Sequence, residues 1–288
     1  MSSPSGTVSL ALIAVGPEDV TEATGLARQL GLTLLPTGTR PRECEDYDAV
    51  LLLAGGRLVL QQTRFRDSAA TRRSAGQVLP GPVGVDFGSA AMRHRRRSGQ
   101  NELLGRAVGV SARRRLRVLD ATAGLGRDSF VLADMGCTVA LCEREPLIAA
   151  MLERGLKAAA GSGDPWLQEV VRRMTLYSQD ARSLTAGSAA PFDVIYLDPM
   201  FPARDKTAAV KKEMALFQLL LGSGPTREDA GALLQWALDQ EVARVVVKRP
   251  PRAPALGTQQ VSHNLGGKAV RFDVYVRGPL GQGKTDSD

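Results

Sequence analysis

The run from Val118 to Asp128, Val-Leu-Asp-Ala-Thr-Ala-Gly-Leu-Gly-Arg-Asp, constrains this chain more than any other stretch. An apolar strand ends at Asp120, and two glycines one residue apart, Gly124 and Gly126, lead into Ser129-Phe130-Val131-Leu132-Ala133, which reads as a helix. Glycines let the main chain approach a ligand closely, and a helix N-terminus presents N–H groups that have no intrahelical partner. Strand, glycine turn and helix in this order build a platform for a nucleotide-like ligand in a doubly wound sheet.

From Arg117 onward, strand-like and helix-like segments alternate, the pattern of a mostly parallel sheet covered by helices on both faces. The predicted strands are Arg117–Asp120, Thr138–Glu143, Met174–Ser178, Val194–Asp198, Arg244–Lys248 and Arg271–Val276. The predicted helices are Asp128–Met135, Pro146–Ala160, Leu216–Leu221 and Arg227–Gln240. The last strands, after a long crossover, are candidates for an antiparallel edge.

Upstream, Val8–Ala14, Leu32–Leu35 and Asp48–Ala54 read as strands and Pro17–Leu30 as a helix. Gly55-Gly56 then turns the chain into a hairpin partner, Arg57–Gln62. The polar, Gly/Pro-punctuated stretch from Thr63 to Gly84 marks a boundary. The expected organisation is a small N-terminal α/β unit with linker over 1–84 and a Rossmann-like domain with a basic lead-in over 85–288. Gln100–Val110 is expected to form one amphipathic helix.

Composition narrows the function classes. At 43% apolar and 23% charged residues the chain suits a packed globular protein rather than a disordered one. It contains no apolar run of the roughly 18 residues needed to span a membrane. Cys44, Cys137 and Cys142 have neither zinc-site spacing nor an even count, which favours reduced thiols and a cytoplasmic setting. The two histidines, His94 in a basic run and His263 in an expected loop, lack partners at metal or triad spacing; no metal is expected.

A formal charge of +7 points toward a polyanion. Arg95 and Arg96 belong to a dense basic run, and Lys206, Lys211, Lys212, Lys248 and Arg249 follow the second half of the chain; all seven are expected to contact nucleic-acid phosphates.

In a doubly wound sheet the ligand lies beyond the carboxyl ends of the strands where their order reverses. Gly124 and Gly126 would pass beneath it, with Arg127 and Asp128 opening the helix and Asp120 preceding the turn. Glu143 ends the second strand about 20 residues on, where a carboxylate accepts from ribose hydroxyls. Asp180, with Ala181 beside it, suits an adenine amino group, and Asp198 closes the site from the fourth strand. A nicotinamide dinucleotide is the rival ligand, but Gly124-x-Gly126-x-x-Ser129 lacks the third glycine of that fingerprint. S-adenosylmethionine fits better because no pyrophosphate has to be accommodated.

Tyr196-Leu197-Asp198-Pro199-Met200-Phe201 is the second reactive-looking turn. It resembles the Asp/Asn-Pro-Pro-aromatic motif of methyltransferases that act on exocyclic amino groups, with Met200 in place of the second proline. An aromatic amine delocalises its lone pair into the ring and is a poor nucleophile. A carboxylate and a main-chain carbonyl that accept its two N–H groups turn the lone pair toward the methyl donor, and an aromatic ring holds the base for in-line attack. Asp198, Pro199 and Phe201 are therefore the candidate catalytic residues. The base must leave any stack before it can enter such a site. The charged stretch Pro202–Met214 reads as a lid.

The motifs Asp120–Asp128 and Tyr196–Pro202, together with Val210-Lys-Lys-Glu-Met214, Val245-Val-Val-Lys-Arg-Pro250, Val85-Asp-Phe, Met92–Arg96 and Arg271-Phe-Asp-Val-Tyr275, are similar to those of the bacterial ribosomal RNA small subunit methyltransferase J family. The resemblance runs from about Val85 to Val276. It implies a class I S-adenosylmethionine-dependent methyltransferase that modifies N2 of one guanine near the 3′ end of 16S rRNA. It also implies cofactor contacts at Arg127, Asp128, Glu143, Arg144, Asp180, Ala181 and Asp198; at Asp180 and Ala181 the family can carry two serines. The expected partner is 16S rRNA or the 30S subunit. Alternatives on residues alone are a methyltransferase for tRNA or DNA, and a non-catalytic RNA-binding assembly protein.

Overall fold

The computed structural model describes residues 8–63, 81–96, 99–184, 191–199, 220 and 227–281. Two compact units divide after Val85. In the first, β1 (Leu10–Ala14), α1 (Val20–Leu30), β2 (Thr33–Leu35), β3 (Ala49–Ala54), β4 (Arg57–Gln62) and β5 (Val83–Gly84) form a sheet of order β2-β1-β3-β4-β5. β1 is parallel to β2 and β3, and β4 runs back antiparallel on β3. Gly55 and Gly56 make that reversal possible, since both have positive φ, 53° and 74°, as a tight two-residue hairpin requires. Buried cross-strand pairs, Leu51 with Leu60 and Leu53 with Leu58, fix its register. Asp19 is buried, and its carboxylate accepts from the Gly16 and Gly55 amides, pinning the hairpin turn to the start of α1.

The second unit is a Rossmann-like α/β fold. It opens with α2 (Ala90–Arg96) and α3 (Gly99–Val108), then β6 (Arg117–Asp120), α4 (Arg127–Asp134), β7 (Thr138–Cys142), α5 (Pro146–Ala160), α6 (Pro165–Val171), β8 (Met174–Tyr177) and β9 (Val194–Leu197). It closes with α7 (Arg227–Leu238), β10 (Arg244–Arg249), β11 (His263–Gly266) and β12 (Arg271–Val276). The sheet order is β11-β12-β10-β9-β6-β7-β8. Strands β8 through β10 are parallel, whereas β12 lies antiparallel between β10 and β11. Val118, Val194 to Leu197 and Val245 to Val247 are buried, as expected for strands covered on both faces. On one face α7 packs Ala230, Leu234, Ala237 and Leu238 against Val245, Val247, Leu256 and Tyr275.

Three elements differ from the sequence reading. Ala90–Arg96, read only as basic and given no element in the sequence, is a helix; the Ser89 hydroxyl accepts from the Met92 amide at its start. Pro165–Val171 is a further helix, capped by the Asp164 carboxylate on the Trp166 amide. His263 belongs to the exposed edge strand β11 and not to a loop. The expected helix Leu216–Leu221 and the expected lid Pro202–Met214 lie outside the described residues, Leu220 apart. Among the described residues no helix is long and apolar enough to cross a membrane.

Candidate active site

Strand order reverses at β6, which has β7 on one side and β9 on the other. The carboxyl ends of these strands and their neighbours bring together residues far apart in the chain. Asp120 is the last residue of β6, Glu143 follows β7, Asp180 lies shortly after β8, Asp198 follows β9, and Lys248 is near the end of β10.

The glycine turn is locked to Glu143. The Gly124 amide donates to one Glu143 carboxylate oxygen at 2.8 Å and the Glu145 amide donates to the other at 2.8 Å. Burial pushes the Glu143 carboxyl up, while these two amides pull it back. Each oxygen retains acceptor capacity for a further donor. The two glycines do different work. Gly124 (φ 54°) would carry a Cβ that meets nothing within 4 Å, so it borders open space. Gly126 (φ 73°) would carry a Cβ only 2.7 Å from Leu152 Cδ1 and 3.3 Å from Phe87 Cζ. Phe87 stacks on Phe130 of α4 with ring centroids 4.7 Å apart, so Gly126 is the point of close packing beneath the turn. Open space above Gly124 and a fixed carboxylate beside it fit the ribose and methionine parts of S-adenosylmethionine.

Asp180 caps a single 3₁₀ turn, Ala181–Ser183, and accepts from the Arg182 amide at 2.9 Å and from the Arg182 side chain at 2.9 and 2.7 Å. Those bonds hold its carboxyl below the usual range. Ala181 is buried, whereas Arg127 and Arg144 are exposed.

A chain of alternating charge crosses the site. Arg95 of α2 pairs with one oxygen of Asp128, and the other oxygen accepts from Lys248 Nζ and from the Tyr196 hydroxyl, each at 2.7 Å. Lys248 Nζ also lies 2.7 Å from Asp198 Oδ2. Burial alone would raise the Asp128 carboxyl, but Lys248 and Arg95 hold it well below the ordinary range. Conversely, burial works against the Lys248 ammonium and the two carboxylates more than compensate, raising it. The main chain of Asp198 is fixed too, its amide donating to Thr122 Oγ1 at 2.7 Å. Pro199 is buried behind it.

A family model described as "Putative SAM-dependent methyltransferase" matches residues 56–277. Ribosomal RNA small subunit methyltransferase J of Cellvibrio japonicus is 44% identical over 262 residues, covering 88% of this chain and 92% of the relative. The protein of the same name from Thioalkalivibrio sulfidiphilus is 52% identical over 203 residues, 69% and 78% of the two chains. The crystal structure of a SAM-dependent methyltransferase from Neisseria gonorrhoeae matches with a TM-score of 0.66 at 30% identity, over 92% of this chain and 96% of that one. The chain belongs to the ribosomal RNA small subunit methyltransferase J family. It is an enzyme whose methyl donor is S-adenosylmethionine.

Several residues of this methyltransferase stand differently from their sequence-based roles. Arg95 and Lys248, read as phosphate contacts, are committed to Asp128 and Asp198 inside the site. Arg249, also read as a phosphate contact, is only 4% exposed, and its guanidinium donates to the Pro254 carbonyl at 2.8 Å, bracing the loop after β10. Charge alone could not reveal these partners. Arg96 ends α2; Phe201, Lys206, Lys211 and Lys212 lie outside the described residues.

Thr122, Ser129 and Tyr196 carry contacts that went unassigned in the sequence. Ser129 is buried and donates to Asp120, whose other oxygen accepts from the Thr122 amide. Burial pushes the Asp120 carboxyl up to about 7, against these two hydrogen bonds. A hydroxyl two residues beyond a strand-ending aspartate was the available signal for Thr122.

Proposed function

We propose that this methyltransferase transfers the methyl group of S-adenosylmethionine to the exocyclic N2 of one guanine near the 3′ end of 16S rRNA, in the cytoplasm. The observation that carries the reading is the Asp198-Pro199 turn, whose carboxylate is held by Lys248 and whose amide is held by Thr122 beside the Gly124–Glu143 turn. The names of the relatives supply the ribosomal RNA substrate.

S-Adenosylmethionine supplies a methyl group on a sulfonium; as the N–C bond forms, the C–S bond breaks and leaves its electron pair on sulfur. The Asp198 carboxylate and a main-chain carbonyl of its turn accept the two N–H groups of the guanine amine and aim its lone pair at the methyl carbon. Phe201 stacks on the flipped base. After transfer, the surplus proton on nitrogen passes to Asp198, whose side chain is half-exposed and returns it to solvent. Glu143 anchors the ribose, and Asp180 and Ala181 border the adenine. Lys206, Lys211, Lys212 and Arg96 grip RNA phosphates, and the unit over 1–84 helps to position the RNA.

The test is transfer of labelled methyl to unmodified 30S subunits, free 16S rRNA, tRNA and DNA, followed by nucleoside digestion. Label in N2-methylguanosine from 30S or 16S rRNA is expected. Label confined to tRNA or DNA overturns the substrate while keeping the chemistry. Lys211→Glu with Lys212→Glu should weaken RNA binding, lower its salt slope by about 2, and leave cofactor affinity intact.

A further inference from the structure

The placement of Lys248 separates two possible jobs for a basic residue on β10. Its ammonium has three N–H groups, and two of them point to carboxylates, Asp128 Oδ2 and Asp198 Oδ2, each at 2.7 Å. That leaves one N–H for any phosphate, which would meet the two carboxylates already paired with the ammonium. The four charges in line, Arg95, Asp128, Lys248 and Asp198, also sum to zero, so the cluster offers little attraction to a polyanion.

We propose that Lys248 is a positioning residue for the methyl-transfer step, holding the Asp198 carboxylate in place so that its second oxygen is presented to the acceptor amine. This rests on the reading of Asp198 as the acceptor of the amine N–H. The geometry supplies each part. Lys248 is itself anchored on the far side by Asp128, which Arg95 of α2 and the Tyr196 hydroxyl of β9 hold in turn. Oδ2 of Asp198 is therefore pinned from a fixed point, and among the described residues Oδ1 accepts no hydrogen bond. With the Asp198 amide tied to Thr122, the carboxylate is set from both its main chain and its side chain.

Removing the Lys248 charge would leave Asp128 and Asp198 facing each other with Arg95 as their remaining cation. Asp120 at the end of β6 and the Tyr196 phenol are the other titratable groups packed against them. Like charges repel, and without the ammonium between them nothing among the described residues holds Asp198 Oδ2. A rotated Asp198 presents nothing where the amine needs an acceptor.

The experiment uses the full chain with S-adenosylmethionine and saturating unmodified 30S subunits or 16S rRNA. Lys248→Met should lower kcat about 100-fold, the scale of a misplaced reacting group, with RNA and cofactor affinities unchanged. Lys248→Arg keeps the charge and should recover a substantial part of the lost kcat. The proposal is overturned if Lys248→Met keeps kcat but loses RNA affinity in a salt-dependent way, if cofactor affinity falls in step with kcat, or if Lys248→Arg recovers no more kcat than Lys248→Met. Should Lys248→Met lose its cooperative melting transition, Lys248→Gln takes its place. A wild-type protein that methylates no guanine N2 sinks the reading of the site; an active wild type matched by Lys248→Met sinks only the role of Lys248.

Discussion

The amide of Asp198 donates to the Thr122 hydroxyl at 2.7 Å, and this bond ties the turn after β9 to the glycine turn after β6. The proposed function assigns the methyl donor and the acceptor amine to those two turns, and on that reading the bond fixes one reactant against the other. Thr122→Val preserves shape and leaves the Asp198 amide without its acceptor, a cost of about 1–3 kcal/mol. We expect kcat to fall about tenfold or more while cofactor affinity holds, and Thr122→Ser to restore most of it. Stopped single-turnover assays of the three proteins decide it; equal rates in Val and Ser variants would remove the hydroxyl from the account.

Glu143 accepts two amides and retains lone pairs, which the proposed function gives to the cofactor ribose. Glu143→Ala should weaken S-adenosylmethionine binding by about 10–100-fold, the equivalent of one or two charge-assisted hydrogen bonds. RNA affinity should not change. Titration calorimetry with the cofactor, set beside RNA filter binding, reads both; a matched loss in the two would point to unfolding instead.

The two glycines should separate in their effects. Gly126→Ala forces a Cβ to within 2.7 Å of Leu152 on a left-handed backbone, so it should cost roughly 2–4 kcal/mol of stability. Gly124→Ala meets open space and carries only the backbone penalty of about 1–2 kcal/mol. Its larger effect should fall on cofactor affinity. Denaturant midpoints and cofactor titrations on both variants test the contrast, and a reversed order of stabilities would contradict it.

Asp120 gives a pH signature. Burial raises its carboxyl to about 7 in the folded protein, above the ordinary unfolded value. The folded state therefore holds a proton that the unfolded chain has released, so this contribution is full below about pH 4 and is lost as pH rises through 7. The slope approaches about 1.4 kcal/mol per pH unit inside that window. Asp128 acts oppositely: its depressed carboxyl contributes stability that is lost only as pH falls below the ordinary carboxylate range. Asp120→Asn should flatten the decline between those limits. Urea unfolding across the window measures it, and an unchanged slope would reassign the proton to another group.

Periodicity and turn chemistry made much of this fold legible. Pro146 at the first position of α5, followed by Ile148, Met151, Leu152 and Ala159 on one face, marks that helix from end to end. Gly55-Gly56 likewise marks its hairpin. What could not be read is which distant charge each basic residue meets. Lys248 is separated by 50 residues from Asp198 and by 120 from Asp128, and only the sheet order brings them together. Arg249, one residue further along an alternating strand, is buried against the loop after β10. Composition reported cations in both places and said nothing of their partners. The short helix α6 hid because its seven residues supply barely two turns of pattern, although Asp164-Pro165 was a legible start.

β12 is inserted between β10 and β11, so β11 has β12 as its sheet neighbour and β10 has β12 on one flank. During synthesis, therefore, β10 emerges with an open edge and β11 with nothing to pair against, until residues 271–276 leave the ribosome. The strand that carries Lys248 waits for a segment made more than twenty residues later. A nascent chain stalled before Arg271 would expose a row of unpaired amides and carbonyls beside Val245, Val246 and Val247, an invitation to aggregation that the completed strand order withdraws.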